Sequence, residues 1–269
     1  MATRHKVQVY KLVQMPDHIH HSTYANDDAH LANFVRDYSS VFVREYNRAF
    51  HRRGPLFDVP FGSAPKKGEK AVRTNLIYLD NNPVERKLVS QAEDYRWNYL
   101  AYAASDHPFS DKIRLRQASM PLRRALKRIK AMHSSDRYLP HSLLSRLFQS
   151  LPDNRERNQL TDFIISTYSI IRHDRAIRYF GSLEQELIAA HSTTGSEYDI
   201  NESFIGKSDA QYAVFSSIVL RSGMIKDLHE LFIVPIETKQ QLFRLIKRKT
   251  KAGDRQIAAY LHLPVEPNN

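Results

Sequence analysis

Strand-forming residues are gathered into one short N-terminal stretch, and nearly everything after it repeats with helical spacing. Lys6 to about Tyr24 reads VQVYKLVQ and then HIHHSTYA, rich in the Val, Ile, Thr and Tyr that suit a pleated surface. Such a pattern specifies an α+β fold, an N-terminal antiparallel sheet followed by a mainly helical C-terminal region.

The spacing predicts a first helix over 27–51, capped by Asn26 or Asp27. Leu31, Phe34, Val35, Tyr38, Val41, Phe42, Tyr46 and Phe50 form its apolar stripe. RRGPLFDVPFGSAPKKG follows as a Gly- and Pro-rich loop with room for one short strand. A second helix is expected over 69–82, stopped by Pro83, because the residue before a proline is steered out of the α region. Residues 94–104, which carry the single tryptophan, Trp97, read as helical. Amphipathic stretches then follow at 121–132, 141–148, 155–172, 182–191, 209–221 and 237–250, with Ser192–Ser208 the clearest loop. A boundary near 105–112 divides the chain into residues 1–105 and 106–269.

Charge bears on partners. Forty Lys and Arg against 29 Asp and Glu leave a formal charge of +11, which favours polyanions. Lys112, Arg114, Arg116, Arg123, Arg124, Lys127, Arg128 and Lys130 form an acid-free run, and Arg244, Lys247, Arg248, Lys249 and Lys251 form a second. Each run alone fits a solvated helix face equally well. The absence of cysteine excludes disulfides, a thiolate nucleophile and a Cys-based zinc site, and suits a reducing cytoplasm. The N-terminus lacks the apolar segment of a signal peptide, and no apolar run has the roughly 18 residues of a membrane helix. A cytoplasmic protein without membrane contact is the expectation.

Three features carry candidate chemistry. His18-Ile19-His20 lies in MPDHIHH. On a strand the two imidazoles share a face, able to supply two ligands to a divalent ion, while Ile19 turns to the core and His21 is the better structural histidine. With 13 histidines in the chain, a chance H-x-H is an equal reading. Tyr78, in LIYLDNNP, is by default a packed core tyrosine. Asn82 is four residues further on, so a helix sets a phenol and an amide oxygen on one face.

The third feature is the ordered series containing them: MPDHIHH, then Tyr46-Asn47-Arg48, then Arg53-Gly54-Pro55-Leu56-Phe57. Tyr78-x-x-x-Asn82-Pro83-Val84-Glu85-Arg86-x-Leu88-Val89 and Glu93-Asp94-Tyr95-Arg96-Trp97 complete it. The series resembles the single-tyrosine HUH transposases, both insertion-sequence transposases and REP-associated tyrosine transposases, over roughly Lys6–Ala104. That family has a MPNHxH strand, a YxxYFN helix end, a G-x-LF turn, a RYxxxNPVRAxLV helix and a YRWS segment. The resemblance implies a ferredoxin-like HUH sheet, here incomplete. It further implies Tyr78 as nucleophile and His18, His20 and Asn82 as ligands of Mg²⁺ or Mn²⁺. The implied activity is cleavage and rejoining of single-stranded or hairpin DNA through a 5′-phosphotyrosine. Arg48, Arg52, Arg53 and Arg86 become candidate phosphate contacts, with His51 or Tyr46 for base stacking. A homodimer is left open. Tyr95 and Trp97 read as packing.

The chain also departs from that pattern. Only 17 residues precede His18, where the family places a further strand and helix. A start upstream of Met1, a decayed copy, or cover from C-terminal helices would each account for this, since one or two strands alone are marginal in water. Asp17 stands for the usual Asn, Val-Glu-Arg for Val-Arg-Ala, and DVPF for an arginine-bearing run. Residues 237–264 resemble part of a helix-turn-helix, open between DNA contact and helical packing. Two alternatives accompany the enzyme reading: a catalytically inactive or domesticated hairpin-DNA-binding protein of the same descent, and a helical RNA-binding or scaffold protein with an accidental H-x-H.

Overall fold

A computed structural model describes residues 1–16, 18–57, 61–192, 210–226, 228–232, 234–261 and 263 of the chain. Its only sheet among these residues is a two-stranded antiparallel ribbon, β1 (Gln8–Gln14) and β2 (Ile19–Tyr24). The pairing runs Val9↔Thr23, Lys11↔Ser22, Leu12↔His21 and Val13↔His20, with a bulge between Val9 and Lys11. Directly opposed residues share a face of the ribbon. The bulge therefore sets Val9 and Leu12 on one face and Lys11 and Val13 on the other, although Val9 and Lys11 are two apart in sequence.

Helix α1 (Asp28–Ala49) covers the first face, and Asp27 caps it by accepting from the His30 amide. Phe34 and Val35 bury against Val7 and Val9, with Leu31, Tyr38 and Leu12 around them. The helix is roughly 33 Å long and β1 roughly 24 Å, so the apolar stripe of α1 outruns the ribbon. Phe42, in its second half, and Phe50, its C-cap, are exposed.

The other face carries α2 (Glu69–Glu85). Leu79 packs with Val13, Met15 and Tyr95, and Tyr78 and Trp97 border them. The helix does not stop at Asn82. It runs through Pro83, and Arg86 N donates to Asn82 O at 3.2 Å. Proline this near a C-terminus removes a single helical hydrogen bond, and Pro83 is itself buried. Residues 94–104 likewise differ from the single helix expected: three 3₁₀ turns occupy Ala92–Asp94, Arg96–Asn98 and Leu100–Ala103. The buried Asn98 amide donates to Ala92 O and its oxygen accepts from Leu100 N, which competes with helix formation. Tyr95 is buried, as packing required, and its hydroxyl donates to Gln14 O at 2.9 Å. No strand occurs among the described residues of the 52–68 loop.

The remaining helices are α3 (Met120–Ser134), α4 (His141–Gln149), α5 (Asn154–Tyr168), α6 (His173–Ile177), α7 (Leu183–His191), α8 (Ala210–Arg221), α9 (Ile236–Lys249) and α10 (Asp254–Tyr260). The helix expected over 155–172 ends at Tyr168, because Ile171 bridges to Val9 and Arg172 N donates to Val9 O at 2.7 Å. The C-terminal half thus occupies the free edge of β1. Leu122, Leu126, Ile129, Leu151 and Leu160 form one helical core. Phe215, Leu242, Ile246, Ile257, Tyr260 and Leu261 form another, which Leu88 joins from the N-terminal half. In the 237–264 segment, Ile257, Tyr260 and Leu261 of the α10 region are thus core residues. Residues 262 and 264, the expected loop over 193–208, and Asp17 lie outside the described residues. No described helix is long and apolar enough to cross a membrane.

Candidate active site around Tyr78

His20, opposite Val13, is on the α2 face of the ribbon, and His21, opposite Leu12, is on the α1 face. His18 sits just ahead of β2, in the turn where Met15 N donates to its carbonyl at 2.9 Å. It is therefore not a strand residue, yet its ring lies 4.6 Å from that of His20, edge to face. His21 packs edge-on to Phe34 and Tyr38, and burial lowers its pKa. Ile19 is half-buried and belongs to none of the core clusters.

Tyr78 meets this pair from α2. Its ring is 6.1 Å from His20 and half-buried. Continuation of α2 past Pro83 keeps Asn82 in helical register, one turn from Tyr78. Asn82 is 3% exposed, and its amide oxygen accepts no hydrogen bond among the described residues. A buried oxygen without a donor is costly unless something positive meets it. Among the described residues no group of three or more His, Asp or Glu side chains is placed to hold a metal. A cation here therefore depends on the amide as third protein ligand. Two imidazoles and an uncommitted amide oxygen suit a borderline divalent ion such as Mn²⁺, and Mg²⁺ more weakly.

One component went unread in the sequence. Lys11 is fully buried, with Nζ 2.7 Å from Asp80 Oδ1 and 2.8 Å from Glu186 Oε1. Burial alone would discharge the ammonium, but Asp80 and Glu186 together hold its pKa above the ordinary value. Burial, and secondarily Glu186, pushes Asp80 up to about 7 against the pull of Lys11. Asn81, next on α2, donates to Ala190 O at 2.9 Å. The signal was a charge at the centre of each apolar stretch, Lys11 in VQVYKLVQ and Asp80 in LIYLDNNP.

The candidate DNA contacts divide. Arg86 caps α2 one turn beyond Asn82, on Tyr78's own helix. Arg48, His51, Arg52 and Arg53 gather at the end of α1, which covers the opposite face of the ribbon. There Arg48 pairs with Glu45 at 3.0 Å, and Arg52 lies 5.7 Å above the Tyr46 ring. The rings of Phe57, Phe42, Tyr46, Phe50 and His141 follow one another at 6.3, 6.0, 4.6 and 6.2 Å. Aromatic rings beside arginines are the side-chain types on which nucleic-acid bases stack. Arg123, Arg124, Lys127, Arg128 and Lys130 are all exposed on α3, opposite its buried Leu122, Leu126 and Ile129.

Comparison of the chain with family models, with curated proteins and with solved structures finds no match.

Proposed function

We propose that this chain is a DNA strand transferase of the single-tyrosine HUH kind, acting on single-stranded or hairpin DNA. The observation that carries the reading is the meeting of Tyr78 with the His18–His20 pair, brought together from the ribbon and from α2. On this reading the ribbon belongs to a ferredoxin-like HUH sheet, and Ile171 and Arg172 lie along the edge of β1. His18, His20 and Asn82 would hold Mg²⁺ or Mn²⁺. When bound, that cation withdraws charge from a non-bridging oxygen of the scissile phosphate.

The chain's own residues supply the rest. Tyr78 oxygen forms a bond to phosphorus as the P–O3′ bond breaks, and the phenolic proton ends on the released 3′-hydroxyl. Bond energy is kept in the 5′-phosphotyrosine, so rejoining needs no external energy source. Arg86, one turn beyond Asn82, would pair with a neighbouring phosphate.

Purified protein incubated with Mn²⁺ and a labelled hairpin-bearing single strand should give a covalent adduct that resists denaturant. Tyr78→Phe should give none. Adduct that persists in Tyr78→Phe removes Tyr78 from the role.

A second reading, a non-cleaving binder of hairpin DNA, is favoured by the aromatic and basic end of α1. It separates from the first by salt-sensitive binding without adduct under any metal.

A further inference from the structure

We infer that the cavity against Tyr78 is a pocket for one extruded nucleobase, that of a nucleotide next to the attacked phosphate. This deepens the strand-transferase reading and rests on it. The cavity measures about 310 Å³ and lies between α2, the Ser90–Ala92 turn and the C-terminal end of α7. That is the low end of small-ligand clefts, which run from roughly 300 to 1,000 Å³.

Its main wall is one face of α2. Ile77, Tyr78, Asn81, Val84 and Glu85 line it, at the spacing that puts helical residues side by side. Tyr78 therefore stands between the His20 ring, 6.1 Å away, and the cavity. DNA that presents a phosphate to the phenol has a base one sugar away, within reach of this opening. Enzymes that work on nucleic acid commonly take a base out of the stack into such a pocket.

The described lining suits a base better than a phosphate. Among the described residues no Lys or Arg lines the cavity, although the chain carries +11. The described lining includes the His191 imidazole, held 3.0 Å from Glu93, and the Glu85 carboxylate. Ile77, Val84 and Ala92 offer apolar surface to the faces of a ring. Glu85, at the exposed end of this wall, can accept from a ring N–H or an exocyclic amine of a base. Asn81 is fixed by its bond to Ala190 O and holds α2 at the distance from α7 that leaves the space open.

The test uses the full chain without divalent metal and without cleavable DNA. The probe is the 5′-monophosphate of 2-aminopurine deoxyriboside, followed by fluorescence and displaced by dAMP, dCMP, TMP or deoxyribose 5-phosphate. Saturable binding is expected, with dAMP, dCMP and TMP all displacing the probe and deoxyribose 5-phosphate not displacing it at all. Ser90→Trp, at the exposed rim, should weaken the probe about tenfold or more. No saturable binding, equal displacement by deoxyribose 5-phosphate, or a folded Ser90→Trp that binds like the parent overturns the pocket. Because this readout involves no chemistry, nucleotide binding without adduct formation would sink the transferase reading alone. Adduct formation without nucleotide binding would sink the pocket alone.

Discussion

The Lys11 ammonium lies 2.7 Å from the Asp80 carboxylate, and Asp80 stands two residues along α2 from Tyr78. This contact, with Glu186 2.8 Å away on α7, ties the ribbon, the tyrosine helix and the C-terminal half together at one buried point. The bulge before Lys11 makes it possible, because it sends Lys11 to the face opposite Val9. The ion triad thus fixes how α2 sits on the ribbon and hence where Tyr78 stands relative to His20.

Breaking the triad from one side should be severe. Lys11→Met leaves two carboxylates buried without their cation, and loss of one partner of a buried pair costs roughly 3–5 kcal/mol. Urea unfolding should show a loss of that order. The triple variant Lys11→Met, Asp80→Leu, Glu186→Leu should regain most of it, since apolar replacement of a whole buried ion group is often neutral. A single variant as stable as the parent would mean that the contact does not hold α2 in place.

Asn82 should behave in opposite ways with and without metal. Asn82→Leu removes a buried oxygen that has no donor, a defect worth about 1–3 kcal/mol. In EDTA the variant should melt at or above the parent. In Mn²⁺ the order should reverse, since the parent gains about 2.7 kcal/mol at a hundredfold excess over Kd and the variant gains little. A parent melting temperature that Mn²⁺ leaves unmoved would remove the metal from the site.

These two residues also mark what the sequence could and could not convey. The Asp27 cap, the stripe of Phe34, Val35 and Tyr38, and the positions of most helices follow from local spacing, and so does the proximity of Tyr78 to Asn82. Pro83 misled because the local rule against helix before proline was outweighed by burial of the last turn of α2. Asn98 ended a helix through its own side chain, which periodicity cannot register. The Lys11 triad joins residues far apart in the chain, and a lysine in a strand reads as solvent-facing until the bulge is seen. Arg48 and Arg53 were grouped with Tyr78 by motif order alone, and motif order does not say which face of a sheet a helix covers.

His173 should make the protein sensitive to mild acid. Burial, with Lys11 nearby, lowers its pKa from 6.5 to about 4. The folded chain thus keeps it neutral where the unfolded chain takes up a proton. A base whose folded pKa is depressed contributes stability that is present above pH 6.5 and lost as pH falls toward 4. Asp80, pushed up to about 7, acts with the opposite sign in the same window, so the comparison must be made between variants. Between pH 6.5 and about pH 4.5 the parent should lose about 2 kcal/mol more than His173→Gln. Equal losses would show that His173 is protonated in the fold.

Asp162 should decide whether the two halves of the chain are separable. It is fully buried on α5 and accepts from Tyr102 Oη at 2.7 Å, Phe109 N at 3.0 Å and Ser110 Oγ at 2.8 Å, with Arg96 3.4 Å away. Burial and this carboxylate together push the Tyr102 hydroxyl well above its ordinary pKa, so it remains a donor at any working pH. The segment near 105–112, where the sequence suggests a boundary, is therefore pinned by a carboxylate from the C-terminal half. Asp162→Leu leaves three donors without their acceptor, each worth about 1–3 kcal/mol when unmet, and removes the carboxylate from Arg96, which keeps Asn158 and Phe109 O. Denaturant unfolding should fall by about 3–5 kcal/mol and remain one cooperative transition, because Lys11–Glu186 and Asn81–Ala190 still join the halves. Two resolved transitions in Asp162→Leu would show instead that the halves fold independently and that this carboxylate was their main connection.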